Sequence, residues 1–85
     1  MNVVITGSTR GIGLAMALAF LQAGCHVTLS GRGESLRPEL TQTLLPHGEA
    51  YQYVPCDVQS KSDLQTLWDA AVARFGVVDI WINNA

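Results

Sequence analysis

Charge is scarce in this sequence: 14% of its 85 residues are ionisable acids or bases, and 5 lysines and arginines against 7 acidic residues leave a formal net charge of −2. Without a basic excess there is no electrostatic footprint for nucleic acid or for an anionic membrane surface. The hydrophobic share of 48% excludes a disordered tail. Cysteine is nearly absent; Cys25 and Cys56 fit neither a zinc spacing nor a dense disulfide framework. They read as free core thiols in a reducing compartment, so a cytoplasmic location is expected. His26 and His47 stand alone, one at a strand start and one in a turn, so no metal site is expected. No apolar run reaches the ~18 residues of a membrane-spanning helix. Arg10, the apolar run 12–21 and Gln22-Ala23-Gly24-Cys25 have the outline of a lipoprotein signal. Gly13 interrupts that run, however, and Gln22 stands where a lipid-attachment box wants an aliphatic residue. The length allows one small domain, spanning residues 1–85 and burying only about 60–65% of its unfolded surface.

What is present is organised around Thr6-Gly7-Ser8-Thr9-Arg10-Gly11-Ile12-Gly13. A short apolar run precedes it and an alanine-rich helical pattern follows. Strand, glycine turn and helix place backbone N–H groups and a positive helix end against a diphosphate. Gly7 lets the chain leave the strand sharply, Gly11 lets backbone approach phosphate, and Gly13 lets the new helix pack closely. No Gly-Lys-Ser/Thr follows, which excludes a nucleoside-triphosphatase loop.

Along the chain, Asn2 to Ile5 reads as a buried parallel strand and Ile12 to Ala23 as a helix apolar nearly all round, stopped by Gly24. His26 to Ser30 forms a second strand. Pro38 opens a helix through Leu45 that ends at Pro46-His47-Gly48, and Ala50 to Pro55 is a third strand with Tyr51 and Tyr53 on one face. Ser60 starts a helix in which Leu64, Leu67, Trp68, Ala71, Val72 and Phe75 make one apolar stripe, with Trp68 and Phe75 expected in the core. Gly76 closes it, and Val77 to Ile82 is expected as a fourth strand. This alternation predicts an α/β fold, a three-layer, doubly wound parallel sheet of Rossmann type with strand order 3-2-1-4. The glycine turn, Arg32, Asp57 and Asn84 then all fall past the C-terminal ends of strands, the edge where such sheets bind ligands.

At the end of the second strand, an NAD site wants a carboxylate for the ribose 2′-hydroxyl. Here the sequence reads Ser30-Gly31-Arg32. Arg32 suits a 2′-phosphate instead, and Arg10 approaches it from the glycine turn. Two such charge-assisted contacts favour NADP(H) over NAD(H) by about ten- to a thousand-fold. Glu34, close behind, can reach a ribose and keeps NAD(H) as the alternative.

The turn at Thr6 to Gly13 resembles the Thr-Gly-x-x-x-Gly-x-Gly motif of the short-chain dehydrogenase/reductase family. Cys56-Asp57-Val58 resembles its Asp-Val pair, and Asp79 to Ala85 resembles its fourth strand and Asn-Asn-Ala-Gly motif without the last glycine. The resemblance implies a site of Gly7, Ser8, Thr9, Arg10, Gly11, Ile12, Gly13, Arg32, Asp57, Val58, Asn84 and Ala85. Asp57 would meet the adenine amino group, and Asn84 would tie the central strands beside the cofactor. It also implies carbonyl or alcohol oxidoreduction by hydride transfer, with a serine and a Tyr-x-x-x-Lys pair beyond the asparagine motif. The only lysine is Lys61, and neither Tyr51 nor Tyr53 precedes it by four, so no catalytic residue is assigned. The expectation is therefore the N-terminal, cofactor-binding portion of a reductase, incomplete at its C-terminus. A small carbonyl or alcohol substrate would engage it only with the remaining half present. A non-catalytic nucleotide-binding module and a structural fragment needing a partner are the alternatives. With one helix on one face and an apolar fourth strand at the edge, self-association or a homo-oligomer is expected.

Overall fold

The computed structural model describes residues 1–85, and its elements follow the expected alternation. They are β1 (Asn2–Ile5), α1 (Gly11–Gln22), β2 (His26–Gly31), α2 (Pro38–Leu44), β3 (Tyr51–Pro55), α3 (Lys61–Phe75) and β4 (Ile80–Ile82). A 3-10 turn at Leu45–Ala50 joins α2 to β3 where a plain stop was expected. Gly48, at φ 54°, supplies the left-handed step, and His47 is half-buried there.

The four strands form one sheet in the order β3-β2-β1-β4. Every pairing is parallel: Val3 lies beside Val27 and Ile80, and Val27 beside Tyr51. Because strand side chains alternate between faces, this register sorts them into two layers. One layer joins Val3, Ile5, Val27 and Leu29 to Ala17 and Leu21 of α1 and to Leu40 and Leu44 of α2, with Tyr51, Tyr53, Ile80 and Ile82 packed around them. The other joins Val4 and Cys56 to Leu67 and Ala71 of α3. Each fully buried Leu, Ile or Val contributes about 1.5–3 kcal/mol, so the larger layer carries most of the core.

Polar side chains fasten α3 to its face of the sheet. Gln52 Nε2 donates to Thr28 Oγ1 and to Ala70 O, both at 3.0 Å. Asn2 Nδ2 donates to Ala71 O at 3.2 Å and to Gly76 O at 3.0 Å.

Three expectations need correction. The fourth strand is shorter than Val77 to Ile82. Gly76 turns the chain at φ 86°, Val77 is 81% exposed, and Asp79 Oδ2 takes the Asn2 N–H at 2.7 Å. Residues 77–79 are thus a connector tied to the start of β1, and the ladder begins only at Ile80.

The apolar stripe of α3 is present, but only Leu67 and Ala71 are buried. Trp68 is 43% exposed and Val72 40% exposed, because no element packs beyond the edge of β4 on this side. Trp68 leans on Trp81 with ring centroids 6.0 Å apart. Phe75 is half-buried, stacked on His26 at 4.6 Å.

Similarly, α1 is apolar nearly all round yet buries only Gly13, Ala17 and Leu21, and Ile12 is 75% exposed. The sheet covers one side of it and nothing covers the other.

Candidate functional site

The C-terminal ends of β1, β2, β3 and β4 converge on one edge. The β1–α1 turn is the centre of that edge. Gly7 and Gly11 both sit at φ 59°, a region that favours glycine. Ser8 is fully buried: its hydroxyl donates to Ile5 O at 2.8 Å and accepts from Ser30 N at 2.9 Å, so the turn is pinned to β1 and β2.

Asn84 closes the other side. Its Nδ2 donates to Gly7 O at 3.0 Å, and its backbone N–H donates to Thr6 Oγ1 at 3.0 Å. Gly13 lies beneath this junction. A Cβ there would collide with Gly7 O and stand 2.5 Å from Asn84 Nδ2, so close packing alone demands glycine. At Gly11 a Cβ would meet nothing within 4 Å, so its backbone faces open space.

The start of α1 carries no protein substitute for an anion. Arg10, at the N-cap, makes no side-chain capping bond, and the first turn holds no acidic residue. The first N–H groups of a helix have no intrahelical acceptor, so here they are free for an external one. The contrast is α3, where Ser60 Oγ accepts from Asp63 N at 3.2 Å and Asp63 supplies a carboxylate to the first turn. Thus α3 is capped by its own residues, α2 has Glu39 in its first turn, and α1 has neither a capping side chain nor an acidic first turn.

A cleft of about 750 Å³ lies over this edge. Of the residues expected at the site, Gly7, Thr9, Arg10, Arg32, Val58, Asn84 and Ala85 line it. Ser8 and Gly13 lie buried beneath, and Gly11 and Ile12 sit at the head of α1 outside the cleft wall. Asp57 also stands off the wall. Its Oδ1 accepts from Gln59 N at 2.9 Å and lies 3.9 Å from Arg32 Nη2, so the carboxylate shapes the turn after β3 and balances Arg32.

The wall also includes residues that sequence reasoning passed over: Gly31, Gly33, Arg37, Cys56 and Gln59. Arg37 matters most. Its Nη2 donates to Thr9 O at 2.8 Å and its Nε to Glu39 Oε1 at 3.0 Å, so it bridges the β1–α1 turn and α2. A signal existed: a residue before proline is pushed to extended backbone, and Arg37 has φ −62° and ψ 148°. That sends it off the helix axis as α2 begins.

Cys56 is a buried thiol in this wall. Burial pushes its pKa up, the neighbouring Ser30 hydroxyl lowers it, and the charges of Asp63 and Asp57 raise it further. It remains a thiol at neutral pH and is unsuited to act as a nucleophile. No group of three His, Cys, Asp or Glu side chains is placed to hold a metal ion, and no helix is long and apolar enough to cross a membrane.

The profile of the short chain dehydrogenases matches residues 1–85. The chain is 42% identical over 86 residues to chlorophyll(ide) b reductase NOL, chloroplastic, of Oryza sativa subsp. japonica, a match covering 99% of this chain and 25% of that protein. It is 40% identical over 83 residues to L-fucose dehydrogenase of Rattus norvegicus, covering 98% of this chain and 29% of the relative. Among solved structures, a hydroxysteroid dehydrogenase from Escherichia coli superposes with TM-score 0.86 at 32% identity, over 98% of this chain and 35% of that one. An actinorhodin polyketide ketoreductase variant with NADPH gives TM-score 0.85 at 35% identity, over 99% and 33%. A 3-ketoacyl-(acyl-carrier-protein) reductase from Brucella melitensis complexed with NADH gives 0.78 at 29%, over 93% and 31%. The chain thus spans about a quarter to a third of the length of these relatives. With the sheet order, the glycine turn and Asn84 all in place and the match running from the first residue to the last, this chain belongs to the short-chain dehydrogenase family.

Proposed function

We propose that this chain is a dinucleotide-binding portion of an oxidoreductase acting on carbonyl or alcohol substrates, and that it holds NADP(H) in preference to NAD(H). The observation that carries the reading is the open N-terminus of α1. It has no capping side chain and no acidic residue of its own, and it lies beside a cleft of diphosphate-accommodating size.

The residues present fit such a group. The N–H groups of the Gly7–Gly13 turn would meet the diphosphate, with Gly11 leaving room above the backbone. Val58 and Gln59 would flank the adenine, and Asn84 and Ala85 would border the nicotinamide half. Arg10 and Arg32 would receive the 2′-phosphate. The wall carries Arg10, Arg32 and Arg37, while Asp57 beside Arg32 and Glu39 beside Arg37 stand off it; a cationic lining suits a phosphorylated ribose better than a free one. When bound, the nicotinamide supplies a hydride donor or acceptor. This chain's part is to bind and orient it. No proton donor is assigned among its own residues: Lys61 starts α3, while Tyr51 and Tyr53 pack against the core from β3.

Calorimetric titration with NADPH and with NADH tests the reading. NADPH is expected to bind at least about tenfold more tightly, the lower end of what two charge-assisted contacts supply. Equal affinities would remove the arginine assignment, and binding of neither would remove the dinucleotide site itself.

A further inference from the structure

Resting on the cofactor reading above, the geometry points to a further role: we propose that Tyr53 and Arg37 are positioning residues that strap the arm between β2 and α2 over the cleft, and that discrimination for a phosphorylated ribose depends on both. The arm, residues 32–37, carries Arg32 at one end and Arg37 at the other. Segments of this kind are held by few contacts and sample many conformations unless tied down. Here two hydrogen-bonded ties are present, and Arg32 itself makes only the 3.9 Å ion pair with Asp57.

The first tie comes from below. Tyr53 stands on β3, its ring packed against the main core, and its hydroxyl donates to Gly33 O. Burial pushes the phenol's pKa up, so the group stays a donor throughout the neutral range. The second comes from the side. The Arg37 guanidinium donates to Thr9 O at 2.8 Å and is itself held by Glu39 Oε1 at 3.0 Å. Thr9 also approaches β2 directly: a Cβ on Gly31 would lie 3.0 Å from Thr9 Cγ2 and 3.3 Å from Tyr53 Oη.

Thr9 neighbours Arg10, and Gly33 neighbours Arg32. Each tie therefore grips the carbonyl of a residue adjacent to Arg10 or Arg32, two of the three arginines that line the cleft. The guanidinium groups are long and exposed, and alone they would lose much of their attraction to side-chain entropy. Fixing their backbone anchors reduces that loss, and the benefit falls only on a ligand that both arginines can touch at once. A 2′-phosphate is such a ligand, and a 2′-hydroxyl is not.

Tyr53→Phe removes one hydroxyl and no charge, and Arg37→Lys keeps the charge but cannot hold Thr9 O and Glu39 together in the planar fork. Both are compared with the unaltered full chain by titration with NADPH and NADH. The expected result is a loss of NADPH affinity of about three- to tenfold in each variant, with NADH affinity within about twofold of the unaltered chain. An unchanged NADPH-to-NADH ratio in either variant overturns the proposal, and so does an equal loss for the two dinucleotides, which would mark a merely structural role. If the unaltered chain binds neither dinucleotide, the cofactor reading has failed and this proposal falls with it. If the unaltered chain prefers NADPH and the variants show the same NADPH-to-NADH ratio as it does, only the strap is wrong.

Discussion

Gly11 and Gly13, separated by one residue, are glycines for opposite reasons. Gly13 is needed because there is no room for a side chain, and Gly11 because its backbone is left-handed while space above it is free. The pair makes a contrasting prediction. Gly13→Ala forces Gly7 O and Asn84 aside, at a cost of about 1–3 kcal/mol in chemical denaturation, and also disturbs the turn. Gly11→Ala meets no atom, so its stability cost is limited to the left-handed backbone, about 1–2 kcal/mol, with no clash to relax. Shortening the neighbour in an Asn84→Ala background should recover part of the Gly13→Ala loss and none of the Gly11→Ala loss; equal recovery of both would contradict the distinction. Cys56 gives a second prediction. Its folded pKa is raised above the ordinary 9.0 by burial, so the unfolded chain loses this proton first. The associated stability is complete below about pH 9 and is lost as pH rises through the folded value. Thermal midpoints should fall on the alkaline side, and less steeply in Cys56→Ala; parallel curves would rule the thiol out as the cause. Much at this scale was legible in the sequence, since glycine spacing and Asn84 carry their own geometry. Arg37 was legible only in part: its place before Pro38 marks extended backbone, but its partner is a backbone carbonyl 28 residues away, which no local pattern encodes.

At the scale of elements, the two well-formed helices differ in what completes them. For α3, Ser60 and Asp63 close the N-terminus, and Asp63 Oδ2 also takes the Asp57 N–H at 2.9 Å. Ser60→Ala should therefore cost about 1 kcal/mol, read as a lowered thermal midpoint, while leaving dinucleotide affinity unchanged. A loss of affinity in that variant would tie α3 to the site, contrary to the geometry. For α1 the same orphan N–H groups are left without a cap, which is why its start is available to a ligand. Both helix starts were readable from Ser60-x-x-Asp63 and from the glycine turn. The short β4 was not, because Val77 and Val78 carry strand propensity that the Asp79–Asn2 bonds override. Neither was the exposure of Trp68: periodicity states which face is apolar, and only the finished packing states whether anything covers it.

The whole molecule is asymmetric about its sheet. Two helices cover one face, while the other has α3 alone, and Trp68, Val72 and the half-buried Trp81 are gathered beside the β4 edge. A shallow cavity of about 320 Å³ among Leu64, Trp68 and Trp81 marks the same place. An apolar face next to an unpaired strand edge favours association. Sedimentation of the full chain should show concentration-dependent oligomers, shifted toward monomer by Trp68→Lys; a chain that sediments as monomer at every concentration would contradict this. The strand order, and the edge over which the cleft opens, were legible at this scale because parallel strands with right-handed crossovers leave few arrangements. The central claim is that an anionic dinucleotide lies along that edge against the open start of α1. Amide chemical shifts recorded while NADP+ is added to the full chain test it most directly. The account predicts that the largest changes fall on Gly7 to Gly13, Arg32 to Arg37, Val58, Gln59 and Asn84, and changes confined to the Leu64–Trp68–Trp81 face, or none at all, would contradict it.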